Sequence, residues 1–167
     1  EFYKSLQAKK VLIFQTDSIM LKEGMDQFLK YDYAGAPWPW LNKAGNGGFS
    51  LRTVDVMTEA CIKCNNGRSV HYNEDLYFSG FVANDYKMVP FREAYMFSRE
   101  HRVPKLNSLS VEGGNLDGNM AIHQIWLMNP ASTVRRILQA SLTKLKAEKS
   151  DRISLLSTNS TIEHSEQ

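Results

Sequence analysis

The sequence predicts an α/β layered fold, and three observations support this prediction. Val11-Leu12-Ile13-Phe14 is a short, continuous apolar run, which is typical of a strand covered on both faces. A second strand is predicted at Phe49-Ser50-Leu51-Arg52, and segments with helical spacing of apolar residues follow it, so strands and helices alternate. Because ligands of such folds bind at the carboxyl ends of strands, Asp17, just beyond the first strand, is the first candidate for a site.

Length, composition and charge fit one globular domain and exclude several classes of partner. The chain has 167 residues, of which 43% are hydrophobic and 23% charged, which suits a single buried core. The net charge of +2 is too small to indicate nucleic acid as a partner. No apolar run approaches the roughly 18 residues of a membrane span, so the sequence predicts none.

The remaining elements are predicted in chain order from apolar spacing, capping residues and glycine-rich stretches. Thr53 is expected to cap a helix that runs to about Lys63, and Asn73-Glu74-Asp75 to begin the next helix. Residues 92–100 fit a helix or a strand. The other predictions are a short helix at 23–29, a structured loop at 31–48, a strand at 87–90, a loop at 106–119, a strand or turn at 120–127 and an amphipathic helix at 131–149.

The chain is expected to divide into a partial domain, residues 1–149, and a disordered tail, residues 150–167. The tail is polar and rich in Ser and Thr, a composition that buries too little apolar surface to order itself. The chain opens on Glu1-Phe2-Tyr3 rather than on Met, almost directly before a strand. We therefore expect upstream sequence to be missing.

Cys61 and Cys64 form a C-x-x-C pair that is expected to face a core rather than to bind zinc. With Met57 and Ala60 they fall at i, i+3, i+4 and i+7, the buried stripe of a helix. A zinc site normally needs four ligands, and no second pair follows at zinc-finger spacing. A small zinc-binding interaction domain is therefore the least favoured functional hypothesis.

Asp17 and the triplet Asn73-Glu74-Asp75 supply the candidate carboxylates. Asp17 can bind a divalent cation that bridges a diphosphate, although capping of the next turn is the commoner role of such a residue. Acids at a helix start are explained by the helix dipole alone. As a functional pair, one of Glu74 and Asp75 would act as general base on a hydroxyl, since helical neighbours differ by about 100° in direction and only one can face a pocket squarely.

The run from Gly45 to Arg52 and the single His123 complete the candidate set. Three glycines in four residues let the backbone approach a ligand closely, and Arg52 could face a phosphate or carboxylate, but a tight turn before a strand is the simpler explanation. The run matches neither a Walker A loop nor a Rossmann fingerprint. His123 could complete a metal site begun by Asp17, although a structural histidine is the commoner case.

The order of these motifs resembles a poorly characterised family of glycosyltransferase-like domains, which carries an unknown-function label and is grouped with GT-A-fold enzymes. The resemblance covers roughly Lys10 to Trp126. Its specific parts are Gly35-Ala36-Pro37-Trp38 and the run from Gly45 to Arg52. The other parts are Gln15-Thr16-Asp17, Asn73-Glu74-Asp75 and His123 with Trp126.

The resemblance implies a GT-A-like Rossmann-type sandwich that here lacks the amino-terminal strands which cradle the nucleotide base. Asp17 resembles the counterpart of the family's Asp-x-Asp motif, although Gln15-Thr16-Asp17 keeps one acid only. Asp75, with Glu74, resembles the acidic pair that supplies the base, and His123 resembles a late metal-binding His. The implied donor- and acceptor-binding residues are Asp17, Trp38, Gly45, Asn46, Gly47, Gly48, Arg52 and Trp126. Trp38, Trp40 and Trp126 could stack on sugar rings, although core filling is their default role.

The function implied by the resemblance is transfer of a sugar from a nucleotide-sugar donor to a carbohydrate or other hydroxyl acceptor, with Mn²⁺ or Mg²⁺ as cofactor. Whether this fragment alone is active is a separate question. The alternative is a non-catalytic carbohydrate- or nucleotide-binding module, which the single acid of Gln15-Thr16-Asp17 favours. Eukaryotic relatives of such enzymes often face the Golgi or secretory lumen and bacterial ones are cytoplasmic, so the sequence leaves the location open.

Overall fold

The computed structural model describes residues 1–65, 73–100, 119–124, 126 and 130–163. These residues form a mixed α/β fold with three small sheets, which confirms the predicted class at this level. The chain divides into two compact units, Glu1–Asn129 and Pro130–Gln167. The first unit contains every described strand.

The largest sheet has three strands in the order β1 (Lys10–Phe14), β6 (Phe49–Thr53) and β3 (Tyr33–Gly35). Both pairings are antiparallel, with Phe14 opposite Phe49 and Gly35 opposite Ser50. A Rossmann-type sheet is mostly parallel, so this sheet does not show the expected sandwich. The register brings the end of β1 beside the start of β6, which places Asp17 near Gly48.

Two smaller sheets complete the strand arrangement. β8 (Ala121–Ile122) lies between β2 (Ile19–Met20), to which it is antiparallel, and β7 (Ser98–Arg99), to which it is parallel. β4 (Pro37–Trp38) pairs with β5 (Lys43–Ala44) around a short 3₁₀ helix, Pro39–Leu41. The structured loop predicted at 31–48 therefore contains three short strands.

The helices of the first unit follow the predicted order. α1 spans Val54–Asn65, α2 spans Glu74–Asp85 and α3 spans Phe91–Phe97. Residues 92–100 thus contain both a helix and a strand, because β7 follows α3 directly. The helix predicted at 23–29 is a 3₁₀ turn, Met25–Phe28, and the strand predicted at 87–90 is a single bridge between Tyr33 and Met88. Most of the loop predicted at 106–119 lies outside the described residues.

The second unit consists of one helix, α4, from Ala131 to Glu163. The sequence predicts its start correctly, but α4 continues past residue 149, where the disordered tail was expected to begin. Residues 150–163 contain no Gly or Pro, so no helix-breaking residue ends α4 at the predicted position. The predicted division at residue 150 itself stays a prediction. No helix among the described residues is long and apolar enough to cross a membrane.

The core of the first unit has two apolar clusters, on opposite faces of β6. Phe49 and Leu51 belong to the first cluster, whereas Ser50 and Arg52 point the other way because side chains alternate along a strand. The first cluster includes Phe28, Phe97 and Met120, and the second includes Tyr3, Tyr33, Met57 and Val82. Cys61 packs against the second cluster as predicted, and both cysteines are free thiols.

Candidate functional site

A cleft of about 390 Å³ opens in the first unit where the ends of several elements meet. Its volume lies within the range usual for small-molecule sites. Residues from six separate stretches line it, and most of them are polar or aromatic. They are Gln15, Trp38, Trp40, Leu41, Asn46, Gly48, Asn73, Glu74, Asp75, Leu76, Glu100, His123 and Gln124.

The turn after β1 folds over the start of β6 and forms one wall of the cleft. The backbone N–H of Gln15 donates to the carbonyl of Gly48 at 2.8 Å, and the Ser18 hydroxyl donates to the same carbonyl at 2.9 Å. Gln15 and Asp17 are therefore held beside the glycine-rich run. This arrangement brings together two motifs that are about 30 residues apart in the sequence.

The glycine-rich run is a tight loop whose backbone lies against other parts of the wall. The N–H of Gly48 donates to Asn46 Oδ1 at 2.9 Å, and Gly45 has a φ of 142°, which strains any other residue. A Cβ added to Gly48 would lie 2.0–2.4 Å from three atoms of the His123 ring. Glycine at position 48 is thus what allows the His123 ring to approach the loop.

His123 is the most buried ionisable side chain of the cleft, with 2% of its side-chain surface exposed. Its Nε2 lies 2.8 Å from Gln15 Oε1 and 3.4 Å from Asp17 Oδ1, while Nδ1 lies 3.8 Å from Glu100 Oε1. The β7–β8 pairing fixes its backbone, whose N–H donates to the Arg99 carbonyl. Three buried polar atoms of this group have no hydrogen-bond partner among the described residues, namely Asp17 Oδ1, Glu100 Oε2 and His123 Nδ1. Such atoms are unusual inside proteins and are common where a ligand binds.

Burial shifts the protonation equilibria of this group away from the charged forms. It lowers the pKa of His123, and the carboxylates of Asp17 and Asp75 oppose this shift. Burial also raises the pKa of Glu100, and Asp75 and Asp17 raise it further by repulsion, while a hydrogen bond to Asn46 works in the other direction. The imidazole is therefore favoured as a neutral base, and Glu100 ionises less readily than an exposed glutamate.

Arg52 is buried behind the cleft, and its side chain is fully engaged within the protein. Its guanidinium donates to the Tyr3 hydroxyl at 2.9 Å, to Ser50 Oγ at 2.9 Å and to Glu74 Oε1 at 2.6 Å. The centroid of the Tyr33 ring lies 4.9 Å from Arg52 Cζ. With 1% of its side chain exposed, Arg52 links β6 to the first turn of α2 and is not among the lining residues.

The first turn of α2 presents Glu74 and Asp75 to the cleft in different ways. Glu74 is tied to Arg52, although 57% of its side chain remains exposed. Asp75 Oδ2 accepts a weak hydrogen bond, 3.4 Å long, from the N–H of Gly47. A Cβ on Gly47 would lie 2.8–2.9 Å from Arg52, Glu74 and Asp75, so the loop and the helix start are closely packed. Asp75 Oδ1 also accepts from the N–H of Leu76 at 2.8 Å. Both carboxylates are therefore engaged, but of the two only Glu74 pairs with a charged group among the described residues.

The structure brings together most of the residues predicted for the site. Trp38, Asn46, Gly48, Glu74, Asp75 and His123 line the cleft, and Asp17 lies against His123. Gly45, Gly47 and Arg52 lie in or behind its wall, and Trp126, whose side chain is 46% exposed, is not among the lining residues. Their predicted binding roles stay predictions.

Glu100 is the functional candidate that the sequence analysis missed. It follows β7 directly, and Asp17 lies three residues beyond the end of β1, so an acid close to a strand end was the available signal. The sequence did not single out Glu100, because residues 92–100 fit either a helix or a strand. Within the described residues, no group of three or more His, Cys, Asp or Glu is arranged to bind a metal ion.

The structure shows a mixed α/β protein with a cleft in its first unit that is lined by acidic, aromatic and other polar residues. The chain belongs to a family described as "Protein of unknown function (DUF5672)", whose model matches residues 1–112. Asp17, the glycine-rich run, Asp75 and Glu100 lie inside the matched part, whereas His123 and Trp126 lie outside it. No curated protein and no solved structure matches the chain. The family description names no activity, so it supports the predicted unknown-function label and leaves glycosyl transfer to be proposed.

Proposed function

We propose that the first unit is the acceptor- and donor-binding part of a glycosyltransferase that transfers a sugar from a nucleotide-sugar donor to an acceptor hydroxyl, in a GT-A-like arrangement. The observation that carries this proposal is the convergence of Asn46, Gly48, Asp75 and His123 on one cleft. These residues come from motifs far apart in the sequence, and each motif is part of the resemblance to glycosyltransferase-like domains. Chance gathering of all four around one cavity is a poor alternative explanation.

Asp75 is the residue best suited to act as general base. A hydroxyl is a weak nucleophile, and removal of its proton as it attacks the anomeric carbon lowers the barrier. Glu74 is less suitable because its carboxylate pairs with Arg52. In an inverting reaction the proton passes to Asp75, the acceptor oxygen forms the new bond, and the nucleoside diphosphate leaves with the electron pair of the broken bond.

Asp17, in the turn after β1, and His123, directly after β8, are the two candidate ligands for a divalent cation. Asp17 Oδ1 is buried without a hydrogen-bond partner, and His123 Nε2 lies 3.4 Å from it. Mg²⁺ sites commonly use one or two carboxylates and complete their coordination with water and substrate phosphates, so Asp17 and His123 fit a partial set of ligands. When bound, such a cation neutralises the charge that develops on the leaving diphosphate.

A non-catalytic carbohydrate- or nucleotide-binding module is the second candidate. The hydrogen bond from His123 Nε2 to Gln15 favours it, because this contact occupies the nitrogen nearest to Asp17. Gln15 also replaces the first acid of the Asp-x-Asp motif. Both candidates predict ligand binding, and only the first predicts turnover.

The experiment that tests the proposal measures release of UDP, GDP or their monophosphates from a panel of nucleotide sugars, with Mn²⁺ and an acceptor mixture. We expect Asp75→Asn to abolish turnover while leaving donor affinity within about threefold, because the neutral amide removes only the base. Asp85→Asn, an exposed change at the other end of α2, is the matched control. Turnover by Asp75→Asn at the native rate would refute the role of Asp75, and donor binding without any turnover by the native chain would favour the binding module.

A further inference from the structure

The mouth of the cleft combines three exposed apolar side chains with the exposed polar residues Asn73 and Glu74, whereas its interior is polar. Trp40, Leu41 and Leu76 all line the cleft, and 66%, 46% and 38% of their surfaces are exposed. Asn46 and His123, by contrast, are at most 5% exposed. Exposed large apolar side chains that gather at one opening commonly mark a place where a ligand or partner is bound.

Among the residues that the structure describes, the charged side chains that line the cleft are all acidic. They are Glu74, Asp75 and Glu100, and Asp17 lies just behind His123. Among the described lining residues there is no Lys or Arg, since Arg52 is buried behind the wall and bonded to Glu74. An anionic group in the cleft would therefore be repelled at close range.

A ligand for this cleft needs an apolar face and hydrogen-bond donors, without negative charge. A pyranose ring has these properties, because its C–H groups pack on the negative face of an aromatic ring and its hydroxyls donate to carboxylates. We propose that Trp40 is the stacking platform of an acceptor subsite for a neutral pyranose, whose hydroxyls bind Asp75 and Glu100. The designation of this sugar as acceptor rests on the proposed function, whereas the subsite itself does not.

The proposed subsite also gives the acceptor and the donor different positions in the cleft. A nucleoside diphosphate carries negative charge, so its phosphates need the cation ligands near Asp17 rather than the carboxylates at the mouth. A neutral sugar can occupy the mouth with one hydroxyl close to Asp75, the proposed base. Trp40 would then select the acceptor by ring shape, and the acidic lining would reject sugar acids.

The test is binding of methyl pyranosides to the 167-residue chain, measured by saturation-transfer NMR and calorimetry. The probes are the neutral methyl glucoside, galactoside and mannoside, the anionic methyl glucuronoside, and uridine. We expect at least one neutral pyranoside to bind, with affinity about 10-fold lower in Trp40→Ala, which is about 1.4 kcal/mol, and within about threefold of native in Trp40→Phe, because Phe keeps an aromatic face for the sugar. Ile62→Ala, which removes an exposed apolar side chain on α1, should leave affinity unchanged.

The glucuronoside provides a second, independent comparison. It should bind at least 10-fold more weakly than its neutral counterpart, and Asp75→Asn or Glu100→Gln should reduce that difference. Each of four results would overturn the proposal. They are equal affinity for both sugars, sugar binding that is unchanged by substitution of Trp40, absence of binding by every neutral pyranoside, and uridine binding with the same dependence on Trp40. Sugar binding that depends on Trp40, together with absence of turnover of any nucleotide sugar, would refute glycosyl transfer and leave the subsite intact.

Discussion

At the scale of single residues, the approach of the His123 ring to Gly48 is the tightest constraint on the site. The ring occupies the space that a Cβ at position 48 would need, because three ring atoms lie 2.0–2.4 Å from that point. A packed wall cannot absorb such an overlap without moving the ring or the loop. The position of His123 relative to Asp17 and Glu100 therefore depends on a residue that has no side chain.

Gly48→Ala is expected to destabilise the protein and to displace His123. Overpacking of this kind costs about 1–3 kcal/mol in the free energy of unfolding, which urea denaturation measures. Gly80→Ala is the matched control, because no atom lies within 4 Å of a Cβ at that position in α2. The control should gain about 0.5–1 kcal/mol from helix propensity. Native stability in Gly48→Ala would show that the contact with His123 is wrong.

At the scale of elements, the link between β6 and α2 sets the geometry of the candidate base. Arg52 of β6 donates hydrogen bonds to Tyr3, Ser50 and Glu74 at once. The planar guanidinium donates hydrogen bonds in these three directions at once, whereas a lysine ammonium on a flexible side chain cannot reproduce this geometry. The first turn of α2, and with it Asp75, is oriented by this contact.

Arg52→Lys is therefore expected to cost about 2–3 kcal/mol in the free energy of unfolding, since it loses two of the three hydrogen bonds at about 1 kcal/mol each. The same change in Arg92, an exposed residue of α3, should cost less than about 0.5 kcal/mol. Chemical denaturation of both variants provides the comparison. Equal stabilities would mean that the Arg52 contacts contribute nothing to the link.

The sequence predicts elements well where the signal is local. β1, β6, α1 and the start of α2 follow from apolar runs and helical spacing within each segment. The short strands between residues 33 and 44 could not be predicted, because two- and three-residue strands carry no periodicity and are defined by their partners. β3 exists because β6 pairs with it.

The residues of the candidate site, too, could be predicted where the signal is local and could not be predicted where it depends on strand pairing. Asp75 and His123 could be selected because each belongs to a motif of the family resemblance. Nothing in the sequence next to them indicates that they lie in one cleft. The inward orientation of Arg52 depends on which face of β6 points to which cluster, and only the pairing with β1 and β3 decides that. Glu100 was missed because its segment combines a helix and a strand.

At the scale of the whole molecule, the first unit contains both apolar clusters. Every member of the two clusters lies between Tyr3 and Ala121, and every residue that lines the cleft precedes residue 125. A core that is drawn from one continuous part of the chain can fold as a unit of its own. We therefore expect the first unit to form the cleft from its own residues.

A chain shortened after Asn129 is expected to retain a cooperative thermal transition. It keeps Trp38, Trp40 and Trp126, so its near-ultraviolet circular dichroism should match that of the 167-residue chain, while the far-ultraviolet helical signal falls with the loss of α4. Binding of a neutral methyl pyranoside, if present in the 167-residue chain, should persist within about threefold, because no lining residue is removed. A broad transition or a collapsed aromatic spectrum would show that the first unit depends on Pro130–Gln167 for its structure, and the cleft would then have to be studied in the longer chain alone.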